Sequence, residues 1–156
     1  MQFNIVTIGK IKKNFILEGV KEFQKRIERY GEISFYQVQE ERLVKGTNET
    51  IAVEKEGQRI LTRIPRDGLW IALDRRGREM NSKEHFDFLN VQVQKSLKKI
   101  YYLIGGPLGL SPAVLRQATH CLSLSRMTLT HEMSALFLIE QIYRYLNFMA
   151  GEKYHK

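Results

Sequence analysis

Two stretches of this chain, residues 69–73 (Leu-Trp-Ile-Ala-Leu) and 100–104 (Ile-Tyr-Tyr-Leu-Ile), are apolar or aromatic at every position. Each has the length of a strand, and a strand without a polar face must lie in a sheet covered on both sides. The rest of the chain has to supply the cover. Leu17, Val20, Phe23, Ile27 and Tyr30 recur at helical spacing and predict a helix over residues 14–30, stopped by Gly31. Residues 50–64 read as a second helix with Ile60, Leu61 and Ile64 inward, although Gly57 weakens it. Ser82 is the expected cap of a third helix, whose buried face would be Phe86, Leu89, Val93 and Leu97. Ser111-Pro112 announce a short helix to about residue 118. A last helix over 131–149 carries Met133, Leu136, Ile139, Tyr143 and Leu146 inward and ends at Gly151. Residues 2–8 and 33–38 read as further strands, Leu122 and Leu124 suggest a final short one, and 39–48 and 74–81 read as polar loops, the first of them mobile. Strand and helix patterns alternate, so the expectation is one α/β domain over residues 1–156: a parallel sheet flanked by helices.

Composition narrows the class. The longest nearly apolar run, 133–139, falls far short of the roughly 20 residues of a membrane-spanning helix, and the first residues lack the charge-then-apolar order of a secretory signal. Cys121 is the only cysteine, which excludes an internal disulfide, suits a reducing cytoplasmic setting and reads as a small buried residue. With 25 basic and 17 acidic side chains the net charge is +8, spread evenly along the chain. Such a surplus suits a polyanionic partner, nucleic acid first, or a merely cationic surface.

Three segments carry candidate chemistry. After the 100–104 strand comes Gly105-Gly106-Pro107-Leu108-Gly109 and then the capped helix, a place where backbone amides approach a ligand closely. It matches neither a dinucleotide fingerprint nor a phosphate-binding P-loop. Asp74-Arg75-Arg76-Gly77 follows the other apolar strand; Asp74 suits a ligand hydrogen bond or a loop cap, and Arg75, Arg76 and Arg78 suit phosphates or solvent. The third segment, residues 122–129 (Leu-Ser-Leu-Ser-Arg-Met-Thr-Leu), mixes hydroxyls and apolar groups as a pocket wall does, and leads to His131, more often structural than catalytic at a helix start. Neither His120-Cys121 nor any other pair has metal-ligand spacing, so no metal is expected. The closing Tyr154-His155-Lys156 offers a ring, an imidazole and a cation, as a site for a nucleobase would.

Leu73, the Ile104-Gly105-Gly106-Pro107-x-Gly109 segment, residues 122–130 with His131, the run Ile139-Glu140-Gln141-Ile142-Tyr143-Arg144 and the closing Tyr154-His155 together resemble one family across essentially the whole chain. It is the RlmH-type (YbeA) pseudouridine methyltransferases of ribosomal large-subunit RNA, in the SPOUT superfamily. The resemblance implies a SPOUT α/β fold with a C-terminal trefoil knot, and a homodimer that uses S-adenosylmethionine to methylate ring nitrogen 3 of a pseudouridine in 23S rRNA within the ribosome. Carried over by motif, cofactor contacts fall on Leu73, Gly105, Leu124, Ser125, Arg126, Met127, Thr128 and Leu129. His155 is then the expected base or its positioner, Tyr154 the stacking ring, and Lys156 a phosphate contact, with the tail completing the partner's pocket. Two positions depart from the family pattern: Ala135 stands where an arginine is usual, and Leu108 where an acidic or polar residue is frequent. A non-catalytic RNA-binding module of the same fold and a flavodoxin-like nucleotide binder are the alternatives.

Overall fold

A computed structural model describes residues 1–152. Its elements in chain order are β1 (Gln2–Ile8), α1 (Asn14–Ile27), β2 (Glu32–Val38), α2 (Glu49–Arg63), β3 (Leu69–Glu79), α3 (Ser82–Gln94), β4 (Lys99–Ile104), α4 (Pro112–Gln117), β5 (His120–Ser123) and α5 (His131–Met149). The five strands form one parallel sheet in the order β2-β1-β4-β3-β5. The two wholly apolar runs are therefore the adjacent interior strands β3 and β4. Successive side chains of a strand point to opposite faces, and the core divides accordingly. Leu69, Ile71, Ile100, Tyr102 and Ile104 pack with α1, α3 and α5. Trp70, Ala72, Tyr101 and Leu103 pack with α2 and α4 on the other face.

Local packing corrects several boundaries. α1 ends at Ile27 instead of residue 30, because the chain turns at once to set Glu32 beside Gln2; Gly31 has no left-handed φ, and Ile16 lies deeper than Leu17. Asn81, not Ser82, caps α3, in a reciprocal box with Glu84, while the Ser82 hydroxyl donates to Gln141 Oε1 at 2.7 Å. Val93 is exposed and Leu97 lies past the helix end, where Ser96 takes a φ of 57°. In α5 Ile139, Tyr143 and Leu146 face inward as expected, joined by Ala135, Leu138 and Ile142, since α1 covers one side and the sheet another; Met133 faces out and Leu136 is half-buried. Residues 74–79 are not a free loop: β3 bulges after Leu73 and rejoins β5, pairing Arg78 with Leu122 and Glu79 with Ser123. β5 stops at Ser123, so Leu124 belongs to the following turn. Cys121 is exposed on β5, the edge strand of the sheet. Gly57 is required within α2, since a Cβ there would stand 2.0 Å from Ser111 Oγ at the start of α4.

In a parallel sheet every strand ends on the same side. The turns after β1, β3, β4 and β5 therefore share one edge, and segment 124–130 crosses that edge from β5 to α5, which packs on α1, β1 and β4.

Candidate functional site

At this edge lies a cleft of about 860 Å³, inside the range of small-molecule sites. The ends of β3, β4 and β5 build it. Residues 73–76, 104–110 and 122–125 supply three walls, and 127–132 close it at the head of α5. Of the residues expected to contact a cofactor, Leu73, Gly105, Leu124, Ser125, Met127, Thr128 and Leu129 come together here. Arg126 does not join them: its side chain is 88% exposed and its Nε lies 3.8 Å from Glu79 on the outer surface. Tyr154, His155 and Lys156 lie outside the described residues.

The glycine turn is shaped by close approach. A Cβ on Gly105 would stand 2.5 Å from the carbonyl carbon of Gly109, so the two ends of the loop meet backbone to backbone. Gly109 has φ +82° and its N–H donates to the Gly106 carbonyl at 2.9 Å, closing the turn. On the opposite wall the serines hold the loop itself. Ser123 Oγ donates to the Ser125 carbonyl at 3.1 Å, and Ser125 Oγ accepts from the Met127 amide at 3.0 Å.

Charged groups in the cleft are mostly engaged with the protein. Asp74 accepts from the Arg76 amide and Nε, both at 2.9 Å, so it caps its own bulge. The Arg76 guanidinium holds its carboxyl below the usual carboxylate range. Glu132, in the first turn of α5, accepts from the Lys12 and Lys13 amides at 3.1 and 3.0 Å. Burial pushes the Glu132 carboxyl up, but those amides and the charges of His131 and Lys13 outweigh it and hold it low. Thr130 caps the same helix by accepting from the Met133 amide. His131 reaches the Lys10 carbonyl with Nε2 at 3.4 Å. Sequence reasoning missed Lys13 and Glu132; an acidic residue in the first turn of a helix was the available signal. Ala135 is fully buried in the core, so its position is a packing site in this chain.

Beside these groups the cleft presents the glycine turn 105–109, the 122–125 loop and the apolar residues Leu73, Leu124 and Leu129. A cradle of that kind suits a nucleoside-sized molecule with an apolar face and a polar edge. S-adenosylmethionine meets both conditions.

Comparison with known proteins agrees with this geometry. The family model described as "Predicted SPOUT methyltransferase" matches residues 1–155. The chain is 41% identical over 160 residues to the ribosomal RNA large subunit methyltransferase H of Halothermothrix orenii. It is 40% identical over 159 residues to the protein of the same name from Desulfotalea psychrophila and 37% to that of Bacillus pumilus. In all three alignments both chains are covered completely.

Proposed function

The chain belongs to the SPOUT methyltransferase family, and from that premise we propose that it methylates ring nitrogen 3 of a pseudouridine in the RNA of the large ribosomal subunit. It is an rRNA methyltransferase that uses S-adenosylmethionine. The observation that carries the reading is the convergence of the β3, β4 and β5 ends on one cleft, in a chain alike over its whole length to large-subunit rRNA methyltransferases.

The cofactor supplies a methyl group already activated on a sulfonium. The protein's share is to hold, orient and deprotonate. Leu73, Gly105, Leu124, Ser125, Met127, Thr128 and Leu129 hold the cofactor, with Arg126 left on the surface for RNA. Ring nitrogen 3 lies between two carbonyls and becomes nucleophilic only when its proton leaves. His155 takes or steers that proton, Tyr154 stacks on the base and Lys156 meets a phosphate. The chain acts as a homodimer in this reading. We place the trefoil knot of the fold in the path from β4 to α5, where segment 124–130 leaves an edge strand and returns to the middle of the sheet.

Incubation of the protein with S-adenosylmethionine labelled in its methyl group, and with ribosomes lacking the modification, tests the reading. Label in one pseudouridine of the large-subunit RNA is expected. Tight cofactor binding in a calorimeter with no transfer to any ribosomal particle would instead leave a non-catalytic module.

A further inference from the structure

A second cleft, of about 510 Å³, adjoins the cofactor cleft and shares Pro107 and Leu108 with it. Its other walls are Lys12, residues 40–43 and Glu56 of α2. Glu56 is only 4% exposed. Its Oε1 accepts from the Glu41 amide at 2.8 Å, and among the described residues its Oε2 receives no hydrogen bond. That oxygen stands at the glycine turn, 3.7 Å from where a Cβ of Gly106 would lie. Asn4 Oδ1 is the one side-chain atom among the described residues both sealed from solvent and unpartnered, so Oε2 keeps an opening, and the cleft is what Glu56 borders. The neighbouring acids are already engaged, Glu40 by Lys12 at 2.8 Å and Glu41 by Arg59. Burial pushes the Glu56 carboxyl up, against the Glu41 amide and the Arg59 charge.

A largely buried carboxylate oxygen that opens onto a cleft and has no protein donor is an acceptor offered to whatever enters that cleft. Apolar walls at Leu43, Pro107 and Leu108, cations at the rim in Lys12 and Arg42, and one inward acceptor fit a nucleotide whose base edge carries an N–H. We propose that this second cleft seats the target base and that Glu56 Oε2 accepts a hydrogen bond from its ring N1–H. The proposal rests on the reading above and sharpens it. Pseudouridine is joined to its sugar through carbon and keeps N1–H, whereas the N1 of uridine is spent on the glycosidic bond. Nitrogen 3 must shed its proton to react, so N1–H is the ring donor left to recognise. Glu56 thereby separates pseudouridine from uridine.

Glu56→Gln keeps an oxygen for the Glu41 amide and turns an amide donor toward the cleft. Its melting temperature and S-adenosylmethionine affinity should match the parent, while kcat/KM on pseudouridine-containing ribosomes falls about thirtyfold or more. A substrate-side test needs no variant: particles carrying N1-methylpseudouridine at the target should be refused by the parent protein. Turnover within about twofold of the parent on unaltered particles, in both experiments, overturns the Glu56 assignment alone. A parent protein inactive on pseudouridine-containing ribosomes overturns the methyltransferase reading and this proposal together.

Discussion

At the scale of single residues, two glycines of one loop do different work. A side chain at Gly105 meets the backbone of Gly109 at 2.5 Å, which cannot swing aside as a flexible side chain would. Gly105→Val should therefore deform the turn and weaken S-adenosylmethionine binding at least about tenfold by calorimetry, with the core intact. Gly109 faces open space but sits at φ +82°. Gly109→Ala should show its effect in urea melts, as a loss of about 1–2 kcal/mol. His85 makes a separate case. It is buried against Tyr102, with Nε2 2.8 Å from the phenol oxygen, and burial lowers its pKa to about 4. In the unfolded chain it titrates near 6.5, so between these values the unfolded state binds more protons and stability falls as pH is lowered. The stability present above pH 6.5 should decline by up to about 3 kcal/mol by pH 4, and His85→Gln should flatten that part of the urea-midpoint profile.

At the scale of elements, the head of α5 acts as a clasp. Thr130 caps it, and Glu132 gathers two amides of the β1–α1 connection, across 119 and 120 residues of sequence. Glu132→Ala leaves both donors without an acceptor. Denaturant melts should show a loss of about 1–3 kcal/mol, and cofactor affinity should fall as Lys13 and His131 lose their fixed places on the cleft wall. α2 and α4 show the same dependence on a distant partner. Gly57 lies mid-helix, where glycine is usually a weakness, yet the Ser111 cap of α4 occupies the space a side chain would need.

At the scale of the molecule, an evenly spread charge becomes a local one. Lys10, Lys13, Arg42 and Lys45 are exposed in the connections at the carboxyl edge of the sheet, and Arg75 and Arg78 are exposed on the bulged end of β3. Among the acids at this edge, Glu40, Glu41, Asp74 and Glu132 are tied to Lys12, Arg59, Arg76 and main-chain amides. Cations around the cleft are thus left for phosphates. Affinity for large-subunit particles should fall at least about tenfold between roughly 50 and 200 mM salt, measured by filter binding. No helix of the described residues is long and apolar enough to cross a membrane.

Strand and helix content, and the covering of β3 and β4 on both faces, were legible in the chain because each is written in short-range periodicity. The glycine turn and its capped helix were legible for the same reason: residues 105–112 carry their own turn chemistry. Periodicity cannot say which strand lies beside which. The order β2-β1-β4-β3-β5 is set by hydrogen bonds between segments far apart in sequence, and it alone gathers the turns at residues 73–76, 105–109 and 124–129 into one cleft. Tertiary packing likewise put Cys121 on an exposed edge, kept Arg126 outside the cradle and turned the Glu56 carboxylate toward a second cleft. Each of those outcomes depends on what an element packs against, and a residue's own neighbours in sequence carry no record of that.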